Sequence, residues 1–512
     1  MIIDRAANQS GRCRETAYDY LLLSDVHLGS DLVTHLRPWA AASWLTHEAG
    51  VDQQLVSMLE HHRRVQDPSR KLRVVFVGDF LELVGMSLPA IEVATLPTRE
   101  ERRHGLGSAA DHVVAKIHAI AARHPRVFRA LCELVSDGHE LVLVRGNHDI
   151  ELHWRAAQRA LIEAIVRYAE PERRPGLRDR ISIHPWFYLV PGLLYVEHGH
   201  QFDVMCSYGD PLVPTCPRDT RRIRRVPFSV LLRNVARPTR GLSTATYEDV
   251  SFGTYLQLLV KLGFAGSAWI ALRFARAAVS LLGEWAAHVG GDCRRRRHAL
   301  CLRKSRFASR TGMELAQLAQ LEALHVRPAA RSLSVVLRSL YLDRLCALLA
   351  ALACVVAGAL LARSRDVLEG ISCALPAIAL AAYTCIGSDR GIEPGGRMLT
   401  GAAAIARLLC VRWVVMGHTH RTLVQELGAG AQYANVGHWG EDDPPDERSA
   451  QRARPPATYL HVRLEQGRYR ADMMRWDALE GPSLAALELP QQASEARPSG
   501  SVITPIRDAR SV

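Results

Sequence analysis

The chain has 512 residues, of which 48% are hydrophobic and 23% are charged. That length can hold two to four domains, and the composition excludes a chain too polar to form a core. The formal net charge is +12. Of the basic residues, only the clustered arginines favour an anionic partner such as phosphate or lipid headgroups.

The first predicted strand is followed by two candidate ligands. Residues 21–23 are a short apolar run, and Asp25 and His27 come directly after it. Such a run followed by a glycine-containing loop is typical of a buried parallel strand, and functional groups collect at the carboxyl ends of such strands. Because Asp25 and His27 are two residues apart, an extended backbone would point both side chains the same way.

Four further apolar runs repeat this pattern along the chain. They span residues 73–78, 140–145, 193–197 and 412–416. The residues that follow these runs are, in chain order, Asp79, then Asn147 and His148, then His198 and His200, and finally His418 and His420. Five strands that each end in metal-type ligands predict one common site.

The intervening segments predict helices and short strands. Residues 55–65, 108–135 and 150–168 have helical character, and Asp149 is predicted to be the N-cap of the last of these helices. Short β segments are predicted at 422–426, 431–436, 457–464 and 467–475.

The candidate ligands suit divalent cations. They are Asp25, His27, Asp79, Asn147, His198, His418 and His420. Carboxylates, imidazoles and an amide oxygen favour Mn²⁺, with Fe²⁺ or Zn²⁺ as alternatives. Seven ligands are too many for one ion and suit two ions that share a carboxylate. Such a pair can clamp a phosphoryl group and activate a bridging water, which predicts hydrolysis of a phosphoester by a metal-bridging hydroxide.

The ordered motifs resemble those of the calcineurin-like metallophosphoesterases. They are D-x-H at 25–27, G-D-x-x-E at 78–82, G-N-H-D at 146–149, H-G-H at 198–200 and G-H-x-H at 417–420. Together they cover residues 19–204 and 405–478, about half of the chain. The resemblance implies an α/β fold, a four-layer α/β/β/α sandwich with a large, mostly helical insertion.

The resemblance also implies a role for each matching residue. Asp25, His27 and His420 would hold the first ion, Asn147, His198 and His418 the second, and Asp79 would bridge them. His148 would act as general acid or stabilise the leaving group, and Glu82 would orient it. His200 is a candidate substrate contact or ligand, or it only shapes the phosphate pocket. His438 is interpreted as structural. The alternative is that His438 or Trp439 lines the cleft.

The insertion, residues 205–404, contains basic segments and two uncharged apolar runs. The runs are 345–362 and 371–387, and they predict a transmembrane helical hairpin. The alternatives are two buried helices of a soluble lid, or a hairpin that enters only one leaflet. Residues 1–18 are predicted to be a polar lead-in and 479–512 a disordered tail.

The predicted hairpin points to a membrane-associated protein with a cytoplasmic catalytic domain and a lipid-linked substrate. Eleven scattered cysteines without a C-x-x-C pair, and a first segment that lacks a signal peptide, agree with that location. Within the superfamily, the chain looks most like the UDP-2,3-diacylglucosamine pyrophosphatase branch. That branch typically has Arg at the position of His148. The resemblance therefore does not assign the substrate of that branch to this chain.

Two other functions fit parts of the pattern. A nuclease or nucleotide phosphodiesterase of the same fold would suit the basic charge, although that charge concentrates beside the apolar runs. A non-catalytic scaffold of this fold usually lacks some ligands, whereas this chain keeps all of them.

Overall fold

The structure is a computed structural model that describes the chain in segments. The described residues are 18–32, 38–89, 93–237, 252–289, 293–329, 342–363, 376, 378–379, 394–440 and 457–485. Most of the predicted lead-in (residues 1–17) and residues 486–512 of the predicted tail lie outside them.

The described residues contain strands β1 to β12 and helices α1 to α12. The strands are β1 Tyr18–Leu23, β2 Lys71–Val77, β3 Glu140–Val144, β4 Ile181–His184, β5 Phe187–Val190, β6 Leu194–Glu197, β7 Trp413–Met416, β8 Thr422–Gly428, β9 Ala431–Val436, β10 Ala457–Glu465, β11 Arg468–Asp477 and β12 Gly481–Leu484. The helices are α1 Pro38–Val65, α2 Arg99–His104, α3 Ala110–Arg123, α4 Pro125–Ser136, α5 Arg155–Val166, α6 Arg174–Arg178, α7 Pro227–Leu231, α8 Phe252–Val289, α9 Cys293–Thr311, α10 Leu315–Ala323, α11 Leu342–Arg363 and α12 Gly395–Leu409. Short 3-10 helices cover Ile150–His153 and His200–Phe202, and a π-helix covers Leu232–Ala236.

The strands form two mixed sheets. The first has the order β12-β11-β10-β1-β2-β3-β4 and the second β5-β6-β7-β9-β8. β1 to β4 are parallel neighbours, and β6 pairs in parallel with β7. The five strands predicted to carry ligands are confirmed as β1, β2, β3, β6 and β7.

The two sheets pack face to face. Leu22, Val75 and Val142 of the first sheet meet Val196 and Val415 of the second in one apolar cluster. Residues of α1, α3, α4 and α5 cover the outer face of the first sheet. Residues of α9, α10 and α12 cover the outer face of the second. Both faces of the central strands are therefore buried, which explains why β1, β2 and β3 are continuous apolar runs rather than alternating ones.

Two sequence predictions near the sheets need correction. Asp149 makes no N-cap hydrogen bond, and the predicted helix divides into the 3-10 helix and α5. Instead, the Asp149 carboxylate accepts hydrogen bonds from the backbone N–H groups of Phe80 at 3.0 Å and Gly146 at 2.7 Å. It therefore ties together the loops that follow β2 and β3. β12 lies inside the stretch predicted to be a tail, where it extends the first sheet.

The predicted transmembrane hairpin is wrong. Within the residues that the structure describes, no helix combines the length and the apolar character that crossing a bilayer requires. The first apolar run falls in α11, whereas nearly all of the second run, 371–387, lies outside the described residues. In α11, Ala347 and Ala351 are buried one turn apart while Leu352 is 58% exposed. An alanine-rich run without charges can thus form a helix that packs by its small side chains, so missing charge alone does not specify a membrane span.

The buried histidine His62 makes the stability of the fold depend on pH. Burial, helped by His461, His61 and Arg463, lowers the pKa of His62 to about 3. Below about pH 6.5 the unfolded chain therefore binds a proton that the folded chain does not. We expect the free energy of unfolding to fall, through this residue, by up to about 1.4 kcal/mol per pH unit as the pH drops from about 6.5 toward 3.

Urea unfolding between pH 7 and pH 4 tests this expectation with two variants. His62→Asn removes the buried imidazole that contacts the Tyr459 hydroxyl at 3.0 Å. We expect it to have a shallower pH dependence than the parent. His118→Asn removes an exposed histidine of α3 and should keep the parental slope. Equal slopes in the parent and His62→Asn would contradict the assignment.

Candidate metal centre

The predicted ligands lie at the ends of five strands drawn from both sheets. β1 is followed by Asp25 and His27, β2 by Asp79 and β3 by Asn147. In the second sheet, β6 is followed by His198, and β7 by His418 and His420. Asp25, His27, Asp79, Asn147 and His198 are each at most 1% exposed. The structure therefore brings together side chains that are up to about 400 positions apart in the sequence.

The backbone at these positions is unusual. Asp25, His27, Asp79, His418 and His420 all have positive φ, between 41° and 59°. Non-glycine residues rarely occupy this left-handed region, and such strain collects at functional sites. The extended backbone predicted at Asp25 and His27 is therefore wrong, although the two side chains do converge. The distance from His27 Nε2 to Asp25 Oδ1 is 3.6 Å.

One group of donors consists of Asp25, His27 and His420. Their ligand atoms lie within 4.8 Å of one another. His420 Nε2 is 3.1 Å from Asp25 Oδ1. The backbone N–H groups of Trp439 and Gly440 donate to the Asp25 carbonyl at 3.1 and 2.9 Å, so the loop after β9 fixes this end of β1.

A second group consists of Asp79, His198 and His418, again within 4.8 Å. His198 Nε2 lies 3.0 Å from Asp79 Oδ2 and 3.0 Å from Asn147 Oδ1. His198 Nδ1 donates to the Val77 carbonyl at 2.8 Å, which leaves Nε2 as the nitrogen that can bind a metal. Asn147 therefore joins this group through its amide oxygen.

Asp79 lies between the two groups. It belongs to the second group and also to a cluster with His27 and His148. Its Oδ1 accepts the backbone N–H of His148 at 2.8 Å, and its Oδ2 faces His198. Asp79 therefore lies between His27 and His148 on one side and His198 on the other.

The charges of the carboxylates and imidazoles compensate each other. Burial opposes ionisation of Asp25, but His198 and His420 outweigh it and hold the pKa of Asp25 well below its usual range. Burial also opposes ionisation of Asp79, but His198 and His148 outweigh it and lower the pKa of Asp79. Burial opposes protonation of His198, yet Asp79 and Asp25 raise its pKa to about 9. Both carboxylates therefore stay ionised, and a cation would bind them in place of the proton on His198.

Two glycines permit the close approach of these loops. A Cβ atom at Gly78 would lie 2.4 Å from the His198 ring, and one at Gly146 would lie 2.1 Å from Asp79 Oδ1. Gly78 also has a φ of 90°. Both glycines of the G-D and G-N motifs are therefore required by space, and Gly78 also by backbone conformation.

His148 and Glu82 form a buried pair beside the ligands. His148 Nδ1 is 2.5 Å from Glu82 Oε2, and the His148 ring lies 4.4 Å from that of His27. Because Nδ1 is engaged, Nε2 is the nitrogen left to act on a substrate. Glu82 also receives a hydrogen bond from Arg237 Nη2 at 3.0 Å. Burial opposes ionisation of Glu82, but His148, His27 and Arg237 hold its pKa well below its usual range.

Sequence reasoning missed Arg237 and Asp203. Arg237 follows the π-helix of the insertion, and no motif marks it. Asp203 Oδ2 is 3.0 Å from His418 Nε2, and Asp203, Cys206 and His418 form a further group that could hold a metal. The position of Asp203, three residues after His200 in the same loop, was the only signal for it.

His200 and His438 lie next to the predicted ligands. His200 is buried, and its Nε2 contacts the Gln201 amide nitrogen at 2.9 Å. Burial, His198 and His418 hold its pKa well below its usual range, so it is neutral. It belongs to none of the four metal-type groups among the described residues. His438 stacks on His420 with ring centroids 5.0 Å apart.

The donor set fits a metal ion. The buried aspartate, histidine and cysteine groups could hold one, and the geometry does not identify which metal. A scan against protein-family models finds no match for this chain, and a search of curated proteins finds none either. Membership of the metallophosphoesterase superfamily therefore stays a prediction from the motifs.

Arg237 offers a test of the buried charges around Glu82. In Arg237→Met, Glu82 loses its arginine partner while it remains fully buried. We expect the free energy of unfolding to fall by about 3 kcal/mol, since removing one partner leaves the other charge buried and less compensated. Urea denaturation measures the loss. The matched control is Arg221→Met, because Arg221 pairs with Asp219 while 71% exposed, and this pair should contribute less than about 1 kcal/mol. Equal losses would show that Arg237 is not important for balancing Glu82.

Proposed function

We propose that this chain is a two-metal-dependent phosphoesterase that hydrolyses a phosphodiester or pyrophosphate bond. The observation that carries the proposal is the shared position of Asp79, between a group with His27 and a group with His198 and His418. Two groups of donors with a common carboxylate suit two cations, and a cation pair with water suits phosphoryl transfer.

Each ion would have its own ligands. Asp25, His27 and His420 would hold the first ion. Asn147, His198 and His418 would hold the second, with Asp79 common to both. When bound, the two cations would supply activation of a water nucleophile and neutralisation of charge on the phosphoryl oxygens. Mn²⁺ is the proposed metal, with Fe²⁺ or Zn²⁺ as alternatives for the same donors.

His148 would complete the reaction on the leaving-group side. As the water oxygen forms its bond to phosphorus, the bond between phosphorus and the leaving oxygen breaks, and His148 Nε2 donates a proton to that oxygen. Glu82 keeps the ring in place through Nδ1 at 2.5 Å. Arg237 in turn holds Glu82. The ring of Phe228 in α7 lies 4.8 Å from the His148 ring, so the insertion borders the leaving-group side.

A metal-reconstitution assay tests the proposal. The protein is stripped with chelator and supplied with Mn²⁺, Fe²⁺, Zn²⁺ or Mg²⁺. Its rates are compared on bis-p-nitrophenyl phosphate, p-nitrophenyl phosphate, UDP- and CDP-linked lipids, and DNA. We expect hydrolysis to require metal and to favour the diester or a pyrophosphate over the monoester. Absence of turnover with every metal and substrate would overturn the proposal, and cleavage of DNA alone would support the nuclease alternative.

A lipid-linked substrate stays a prediction from the sequence. The lipid-linked substrate and the membrane location were inferred chiefly from the hairpin, which the structure does not support. The lipid arms of the assay decide the substrate class.

A further inference from the structure

A second polar site lies beside the metal-type groups, where the core meets the insertion. It is a cavity of about 460 Å³ between the loop after β3, the end of β4, and helices α5 and α9. None of its lining residues belongs to the groups that could hold a metal. The cationic part of the lining is Arg145, Arg155, Arg303, Arg306 and Arg310.

The positive charge of this cavity is only partly balanced within the described part of the chain, by Asp149 and Glu151 acting on Arg145. Neither Asp nor Glu lines the cavity. None of the five arginines forms an ion pair with a described carboxylate. Burial, together with Arg155 and Arg306, lowers the pKa of Arg303. Arg145 is buried and the other four arginines are exposed, and all five guanidinium groups would attract an anionic ligand.

The floor of the cavity contains a buried arginine with a spare donor. Arg145 is 2% exposed, and its Nη2 donates to the carbonyls of Pro185, at 2.7 Å, and Pro211. Its Nε is buried and has no hydrogen-bond partner among the described residues. Its Nη1 lies 3.5 Å from His153 Nδ1, so the described hydrogen-bond partners of this buried guanidinium are all uncharged. Burying such a group is costly, which favours a binding site over a packing role.

The neutral side chains complete the cavity. Arg303 Nη1 donates to the His153 ring, with 3.2 Å to Nε2, and to the Leu212 carbonyl at 3.0 Å. Burial, Arg145 and Arg303 lower the pKa of His153 to about 2, so this ring is neutral and adds no charge. Ile183, Leu212 and Phe307 form an apolar side. A volume of this size holds a small organic molecule and not only a single phosphate.

We infer that this cavity binds a small molecule carrying two or more phosphate groups, at a site separate from the metal centre. Guanidinium groups recognise phosphate oxygens in pairs, and several of them at one cavity require several negative charges. The apolar side beside Phe307 suits the non-phosphate part of a nucleoside polyphosphate. Inorganic polyphosphate shares the same anionic chemistry and differs in lacking that part.

Calorimetric titration of the full chain tests the inference, with inorganic tripolyphosphate and ATP as the two probes. The double variant Arg306→Gln/Arg310→Gln should weaken the binding of both probes at least about tenfold, because each lost guanidinium removes charge-assisted hydrogen bonds. Binding of the probes to the double variant should also depend less on salt concentration than binding to the parent. The matched control is Arg159→Gln, since Arg159 is exposed on α5 but does not line the cavity. This variant should bind like the parent.

A metal-centre variant separates this site from the proposed active site. In metal-free buffer, Asp79→Asn should bind both probes as the parent does. Tighter binding of ATP than of tripolyphosphate would identify a nucleoside polyphosphate, and equal binding a polyphosphate. The inference is overturned if the parent binds neither probe, if Arg159→Gln weakens binding as much as the double variant, or if only Asp79→Asn loses binding. It is also overturned if the chain binds vesicles of anionic lipid but neither probe.

Discussion

Asp79→Asn is expected to abolish turnover while the chain remains folded. Asp79 belongs to the group with His198 and His418 and also to the cluster with His27 and His148, so the substitution is expected to weaken both proposed ion sites at once. The asparagine side chain keeps an oxygen that can accept the hydrogen bond from the His148 backbone N–H, which Asp79 Oδ1 accepts at 2.8 Å in the parent. It loses the negative charge that faces His198. We expect the rate on any phosphodiester that the parent cleaves to fall on the order of 10³-fold or more, since charge stabilisation in the transition state depends on the cations.

The metal content gives a second and independent measurement of the same substitution. After reconstitution with excess Mn²⁺, Asp79→Asn should retain fewer ions per chain than the parent. Its melting temperature should rise less on addition of metal, because a ligand that binds only the folded state stabilises it in proportion to its affinity. Parental metal content together with parental activity would contradict a bridging role.

Asp19→Asn is the control for losing a buried aspartate. Asp19 is 3% exposed and lies in β1, but its carboxylate contacts Gln66, Arg70 and the backbone N–H of Leu464, away from the metal-type groups. This variant should lose stability while keeping the parental metal content and activity. If both variants lose activity equally, the effect of Asp79→Asn reflects a general response to removing a buried charge.

The strands that carry the ligands could be predicted because local and tertiary signals agree there. β2, for example, is an apolar run rich in valine that is buried on both faces, and Gly78 and Asp79 follow it directly. Each ligand thus has a fixed position relative to a strand end, and parallel strands bring their ends to one edge of a sheet. The left-handed backbone at Asp79 has no comparable sequence signal, because packing of the loops against each other imposes it.

The insertion could not be predicted in the same way. Arg237 reaches Glu82 across 155 positions of sequence, and one arginine among many in this chain carries no pattern that reveals such a contact. The apolar run in α11 has the period and charge content of several kinds of helix. Which kind forms depends on neighbours elsewhere in the fold, as the burial of Ala347 and Ala351 illustrates.

The effect of His148→Ala is expected to depend on the leaving group. The side chain is 7% exposed and is held at Nδ1 by Glu82, so Nε2 is positioned for proton transfer. An alkoxide leaving group needs that proton, whereas p-nitrophenolate leaves readily without it. We expect the rate on a dialkyl phosphate to fall by about 10²–10⁴-fold, with a much smaller effect on bis-p-nitrophenyl phosphate. Metal content should stay at the parental value, since two complete groups of ligands remain.

The comparison of the two substrates separates catalysis from structure. His124→Ala removes another buried imidazole that pairs with a carboxylate, Asp52 at 2.8 Å, at the junction of α3 and α4. Because that pair is remote from the predicted ligands, the variant should lose stability and leave the ratio of the two rates unchanged.

If His148→Ala lowers both rates by the same factor, the ring acts by holding Glu82 and His27 in place. If the metal content falls as well, His148 is itself a ligand in the cluster with His27 and Asp79. Only a change in the rate ratio at constant metal content supports general acid catalysis, because the proton matters only where the leaving oxygen is basic.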